Sequence, residues 1–430
     1  MKIHRHSRRE FIRLATVAAG APLLAARSIQ AGAAAPAPDR KLGFALCGLG
    51  SLSTNQLAPA FQSTKFCRLA GIITGTPAKA TAWKAKYNIP AKNVYNYQNM
   101  AGLSSNPDID VVYVVTPNAL HAEMAVKAAQ AGKHVLCEKP LATSVEEGEE
   151  LVSLAAKHRL RNCVCHNLRY YPMVQQMRAM REAGDLGDIL VVQGTYSQDW
   201  LLYDTDWNWR VETKAGGPSR CMADIGSHWF DMAEHVTGLR VQSLCADLQT
   251  FHPTRKQPKH SVETFANKLL GPEDYIETPV DTEDFGAVIF RMGTRTRGSV
   301  TASQVSAGRK NRLSIEIYGT RSSVAWDQER PDELWSGHRD DGNQIFIKDP
   351  SLLKPAARGF ADLPGGHSEG YDDTFKQVFR RFYASLETTA GTPEYPQFTD
   401  GLRQLTILNA AMQSHRTRGW VDVPAPNTTK

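Results

Sequence analysis

The chain has 430 residues, 42% of them apolar and 22% charged, the composition of a soluble globular protein and not of a disordered or fibrous one. That length exceeds what one hydrophobic core usually organises, so two domains are expected. Of the formal net charge of +6, residues 1–33 carry +5 through six basic residues and Glu10, and the remaining +1 gives no basis for binding nucleic acid.

Ser7-Arg8-Arg9-Glu10-Phe11-Ile12-Arg13, followed by the weakly apolar stretch from Leu14 to Ala26, reads as a twin-arginine export signal. The stretch contains Gly20 and Pro22 and falls short of the roughly 20 apolar residues that span a bilayer, so no stable membrane insertion is expected. Small residues at Ala31-Gly32-Ala33 and at Ala33-Ala34-Ala35 both suit cleavage, and the first gives a signal over 1–33 and a flexible arm over 34–40. The expected location is periplasmic, reached through the twin-arginine export machinery, which carries proteins already folded. Folding inside the cell argues against disulfides among the seven cysteines. Cys163-Val164-Cys165-His166 has no second Cys/His cluster to complete four zinc ligands, so no metal is expected. Alternation on a strand instead puts Cys163 and Cys165 on one buried face.

Leu42–Cys47 is an apolar strand that runs into Gly48-Leu49-Gly50-Ser51-Leu52-Ser53 and then a helical pattern. This is the G-x-G-x-x-G fingerprint of dinucleotide binding with Ser at the third position, where a small residue suffices. The helix N-terminus would meet the pyrophosphate with free N–H groups. A second strand over 68–74 ends in Thr74-Gly75-Thr76-Pro77-Ala78-Lys79. An enzyme that uses NAD commonly carries an acid there for the ribose hydroxyls. Hydroxyls and Lys79 in its place favour NADP, with NAD as the other cofactor. Val111–Val115 is a continuous apolar strand ending in Thr116-Pro117-Asn118, with His121 on the helix that runs from about 119 to 131. A strand over 133–137 ends in Glu138-Lys139-Pro140. Ligands of open α/β sheets sit beyond the carboxyl ends of strands, so both tripeptides are placed for chemistry.

These motifs, with Gly132-Lys133-His134-Val135 and Ala223-Asp224-Ile225-Gly226, resemble the Gfo/Idh/MocA oxidoreductases. The likeness is strongest over about residues 41–185, toward an exported branch of the family. It implies an α/β protein: an N-terminal Rossmann domain with a doubly wound parallel sheet over 41–166, and a C-terminal α/β domain with a large open, mainly antiparallel sheet over 167–430. That second domain would bind substrate and serve oligomerisation, as a homodimer or homotetramer. The resemblance also implies that Lys139 is catalytic, with Asp224 and His228 supplying the other polar groups. An i, i+4 spacing puts Asp224 and His228 on one helix face. Oxidising a carbinol needs a proton acceptor, which His228 suits, and a donor to the developing oxyanion, which Lys139 suits.

Beyond about residue 167 the character of the chain changes. A strand over 189–196 is followed by aromatic residues among polar ones, a pattern fitted to sugar rings. Trp209-Arg210 resembles a pair near the cofactor in the family, and Arg169 and Tyr170 match a motif near its active site. Strands are expected over 285–290, 298–304, 313–318 and 323–326, then a Gly-rich loop whose His367 would enter the sugar pocket, then a helix carrying Phe375, Val378, Phe379 and Phe382. The expected nucleotide contacts are Gly48, Leu49, Gly50, Ser51, Leu52, Thr74, Gly75, Lys79, Thr116, Pro117, Asn118, His121, Glu138, Lys139, Trp209 and Arg210. The reading is an exported NADP-dependent sugar or polyol oxidoreductase that keeps its cofactor bound. The alternative is a nicotinamide-dependent glycosidase acting by transient oxidation and elimination.

Overall fold

The structure is a computed structural model that describes residues 41–260, 270–387 and 393–425. The expected export signal and the expected arm lie outside the described residues.

β1 (Leu42–Cys47) is apolar because neighbours cover both of its faces. It sits within a parallel sheet of six strands ordered β3-β2-β1-β4-β5-β6. The others are β2 (Cys67–Ile73), β3 (Val94–Tyr95), β4 (Val111–Val114), β5 (His134–Cys137) and β6 (Asn162–Val164). Helices α1 (Ala58–Ser63), α2 (Pro77–Lys86), α3 (His121–Gln130) and α4 (Val145–Lys157) connect them. The order reverses between β1 and β4, which opens the crevice where a ligand binds at their carboxyl ends. The expected strand limits agree to within about a residue. Cys163 and Cys165 both enter the core beneath Tyr113, while Val164 enters the opposite one.

The chain then passes through α5 (Pro172–Glu182) into β7 (Ile189–Ser197). β7 lies inside a second sheet of nine strands. α6 (Ser227–Thr237) precedes β8 (Val241–Gln249), and a hairpin of β9 (Thr254–Pro258) and β10 (Tyr275–Pro279) stands apart. β11 (Phe285–Met292), β12 (Thr296–Ser303), β13 (Arg312–Gly319), β14 (Ser323–Asp327), β15 (Glu333–Gly337) and β16 (Gln344–Ile347) follow. The short β17 (Val421–Asp422) closes the edge beside β8. Within this sheet β12 and β7 run parallel, and the other neighbours are antiparallel. Its inner face meets α5 and α6 through Trp229, Phe230, Phe290 and Ile315, all buried.

The expected division after residue 166 is crossed by the end of the chain. α7 (Tyr371–Glu387) inserts Phe375, Val378, Phe379 and Phe382 into the core of the first domain, where Phe379 stacks on Phe61 at 4.2 Å. α8 (Phe398–Thr417) places Phe398 and Leu405 in the core on the opposite face of the same sheet. The 3-4-7 spacing of Phe375, Val378, Phe379 and Phe382 makes the apolar stripe that this burial needs. Among the described residues no helix is long and apolar enough to cross a membrane.

Candidate active site

Gly48 ends β1 at φ +100°, and a Cβ there would lie 2.6 Å from the Val115 carbonyl oxygen. At Gly50 a Cβ would meet nothing within 4 Å, so the backbone faces open space beside the helix N-terminus. That is the cradle a pyrophosphate needs. Leu49 is buried and Leu52 half-buried, so they serve the loop from below, while Ser51 is exposed. The buried Ser53 hydroxyl donates to the Gly48 carbonyl at 2.7 Å and ties the turn shut. The helix opens with a wide turn in which the Ala58 N–H reaches the Ser53 carbonyl.

At the end of β2, Thr74 is buried and its hydroxyl accepts from the Thr76 N–H at 3.2 Å. Gly75 lies under the Tyr97 ring, and Lys79 is exposed on the first turn of α2. Beyond β4, the Thr116 hydroxyl is buried without a partner. Pro117 is half-buried, and the Asn118 amide donates to the Gly216 carbonyl at 2.8 Å, which joins the two domains. His121 is buried with Nδ1 2.7 Å from the Pro140 carbonyl and Nε2 2.9 Å from the Thr116 carbonyl, so it links the ends of β4 and β5. Burial pushes its pKa down against the pull of both carbonyls. The Lys139–Pro140 peptide is cis. The Glu138 side chain turns inward, where its carboxylate accepts from the Tyr113 hydroxyl at 2.6 Å and burial raises its pKa. Its other oxygen accepts from the Lys139 N–H at 3.3 Å, so the carboxylate is anchored at the carboxyl end of β5.

The second domain supplies the other wall. Asp224 lies in a wide turn, closed by the Ser227 N–H on the Met222 carbonyl, that leads into α6. That turn breaks the regular i, i+4 relation to His228, and Asp224 does not bond the imidazole. Its Oδ1 instead accepts from Lys139 Nζ at 2.9 Å and pairs with Arg210 Nε at 3.3 Å. Its Oδ2 accepts from Gln304 Nε2 at 2.9 Å. Burial would raise the Asp224 pKa, but Lys139 and Arg210 outweigh it and hold it at about 2. Lys139 Nζ also donates to the Asp224 carbonyl at 2.6 Å, which leaves one of its three N–H bonds free. Arg210 in turn lies 4.4 Å from the Trp209 ring centre. His228 is buried with Nδ1 unpartnered, and its ring meets that of His166 edge-on at 5.6 Å. Burial, then the charges of Lys139 and His166, drive the His228 pKa well below its ordinary value. The result is a neutral base beside an ammonium.

Three expected substrate residues lie elsewhere. Arg169 gives its guanidinium to Asp231, at 2.6 and 2.5 Å, and to Asp400 at 3.3 Å. Burial works against that guanidinium charge, and the two carboxylates more than offset it. Tyr170 is buried, stacks on Phe360 at 6.0 Å and reaches the Glu394 carbonyl at 3.4 Å. Both knit the returning helices to the core. His367 is exposed, and its backbone carbonyl accepts from the buried Lys348 at 2.7 Å. Gln304, Arg220 and His166 do reach the site or its support. No spacing in the sequence signals Gln304 or Arg220, whereas His166 stands just past a strand end, where it could have been noticed.

Residues 42–166 match a family described as "Oxidoreductase family, NAD-binding Rossmann fold", and residues 174–325 match the "GFO/IDH/MocA C-terminal domain". A levoglucosan dehydrogenase of Pseudarthrobacter phenanthrenivorans is 32% identical over 325 residues, 74% of this chain and 81% of that protein. A D-xylose 1-dehydrogenase [NADP(+)] of Haloarcula marismortui is 29% identical over 192 residues, 44% of this chain and 52% of that protein. A solved levoglucosan dehydrogenase in complex with NADH superposes with a TM-score of 0.78 at 28% identity, covering 90% of this chain and 100% of the other.

Proposed function

This chain belongs to the Gfo/Idh/MocA oxidoreductases, and on that footing we propose that Lys139, Asp224 and His228 form the centre that oxidises a hydroxyl-bearing carbon of a sugar or polyol. The chain is an NAD(P)-dependent oxidoreductase acting on CH–OH groups. The observation that carries the assignment is the meeting of Lys139, Arg210 and Asp224 within ion-pair distance, with the neutral His228 beside them. The glycine cradle at Gly48 and Gly50, and the orphaned Thr116 hydroxyl, fit a dinucleotide.

A nicotinamide dinucleotide held by the Gly48–Gly50 turn and Thr116 would supply the hydride acceptor. His228 takes the hydroxyl proton, for which its low pKa keeps it unprotonated at neutral pH. Lys139 donates its remaining N–H to the same oxygen and stabilises the charge that develops on it. Asp224 holds Lys139 in place and is too acidic to act as the base. The experiment is reduction of NAD+ and NADP+ across levoglucosan, myo-inositol, D-xylose and D-glucose, by the wild type and by Lys139→Ala. Turnover that Lys139→Ala lowers by about a hundredfold or more supports the assignment, and turnover that the variant leaves unchanged overturns it.

A preference for NADP rests on the absence of an acid after β2 and on the exposed Lys79. Residues 7–13 support export to the periplasm through the twin-arginine machinery, with the cofactor loaded beforehand and retained. Homodimer or homotetramer formation draws support from the outer face of the nine-stranded sheet. Register places Val191, Ile289 and Ile345 on that one face, and all three are exposed.

A further inference from the structure

Gln304 follows β12 and is fully buried. Its N–H donates to the Asp284 carbonyl at 3.0 Å, and its own carbonyl accepts from the Leu201 N–H at 3.2 Å, so the backbone is pinned on both sides. Its side chain spans two charged groups that do not touch. Oε1 accepts from Arg220 Nη1 at 3.2 Å, and Nε2 donates to Asp224 Oδ2 at 2.9 Å. The reverse amide orientation would set NH2 against a guanidinium and oxygen against a carboxylate, so chemistry fixes this one.

Behind Gln304 lies a buried cluster in which two guanidinium groups share one carboxylate. Arg220 Nη2 pairs with Asp284 Oδ1, Arg255 Nη2 donates to the same oxygen at 2.7 Å, and all three side chains are fully buried. Asp284 Oδ2 accepts from the Phe251 and His252 N–H groups at 2.7 and 3.1 Å. Glu283 is fixed separately, on the Ser219 hydroxyl and the Arg220 and Met222 N–H groups. With the Glu283 carboxylate on the Arg220 N–H and Asp206 acting on Arg255, the cluster balances its charges locally, and Gln304 is the dipole between the Arg220 guanidinium and Asp224. On the other side, Lys139 and Arg210 both engage Asp224 Oδ1, so Gln304 is what holds Oδ2.

We propose that Gln304 is a positioning residue, which orients Asp224 and through it the Lys139 ammonium by relaying the charge of the buried Arg220 guanidinium. This rests on the assignment of Lys139 and Asp224 to the active centre. If the side chain were merely filling space, any replacement would loosen the Lys139–Asp224 pair. A relay instead predicts opposite responses to opposite changes. Gln304→Glu keeps an oxygen toward Arg220 and turns a second carboxylate toward Asp224, so added negative charge grips the Lys139 ammonium more firmly. Gln304→Met removes both bonds, and the pair loosens.

The test needs no sugar. The full chain is labelled with acetic anhydride, and acetylation of Lys139 is measured by peptide mass relative to the exposed Lys79 in the same sample. Gln304→Glu should slow Lys139 labelling by about threefold or more, and Gln304→Met should speed it. Labelling that rises in both variants, or stays at the wild-type rate in both, overturns the relay. Should the glutamate variant not fold, a wild-type rate in Gln304→Met overturns it alone. Asp224→Asn, run alongside, tests the underlying assignment and should speed Lys139 labelling. If Lys139 ignores Asp224→Asn, the ion pair and the active-centre reading fail. If it responds to that change but not to those at Gln304, the relay alone fails.

Discussion

Ser53 stands where the phosphate-binding fingerprint usually has its third glycine, and it does more than stay small. Its hydroxyl is the bond that closes the Gly48 turn, so Ser53→Ala should cost about 1 kcal/mol of unfolding free energy in a urea titration and weaken nucleotide binding. Lys79 is the cation at the end of β2, and Lys79→Glu should shift the ratio of NADPH to NADH dissociation constants toward NADH by about tenfold. His228 governs the pH profile. Because burial, Lys139 and His166 hold it below 6.5, kcat/KM for oxidation should stay level through neutrality and fall only at lower pH, as the imidazole takes up a proton. A profile with its acid limb near the ordinary histidine value would mean that another group is the base.

At the scale of elements, the returning helices decide the stability of the nucleotide domain. Phe379, on α7, is fully buried between Phe44, Phe61 and Tyr113. Phe379→Ala should cost about 3–5 kcal/mol in thermal or urea unfolding, and the loss should appear in the first domain although the substitution lies far along the chain. The sequence made the local elements legible, because each is written in a period of two or of 3.6 and bounded by turn residues. The fingerprint and the ends of β4 and β5 were legible for the same reason, since strand ends mark the crevice. What the sequence hid depends on distance along the chain. Arg169 shows its charge and not its partners, which are 62 and 231 residues away. The α7 stripe shows an apolar face without saying which sheet it covers. Gln304 carries no signature, because an amide matters there only through the two charges that the fold brings to its ends.

Over the whole molecule, three buried histidines and the half-buried His235 shape the response to acid. His121, His166, His228 and His235 all have their pKa lowered, chiefly by desolvation, from 6.5. The unfolded chain therefore binds more protons than the folded one at pH values between the folded values and about 6.5. Their contribution is complete above that range and is lost as the pH falls. Stability should thus decline by about 1.4 kcal/mol per pH unit for each histidine that titrates only in the unfolded state, which urea titrations at neutral and mildly acid pH would register. The proposed retention of the cofactor belongs to this scale too, and it presupposes that the crevice at Gly48 holds a nicotinamide opposite Lys139.

The most direct test of that claim is a single turnover. Protein loaded with NADP+ or NAD+ is mixed with levoglucosan, myo-inositol, D-xylose or D-glucose, and the absorbance of the reduced nicotinamide is followed for wild type and Lys139→Ala. The account predicts reduction of the bound nucleotide by at least one of these in the wild type, slowed by about a hundredfold or more in the variant with the nucleotide still bound. Equal rates in the two proteins, or no reduction by any of the four, would contradict it.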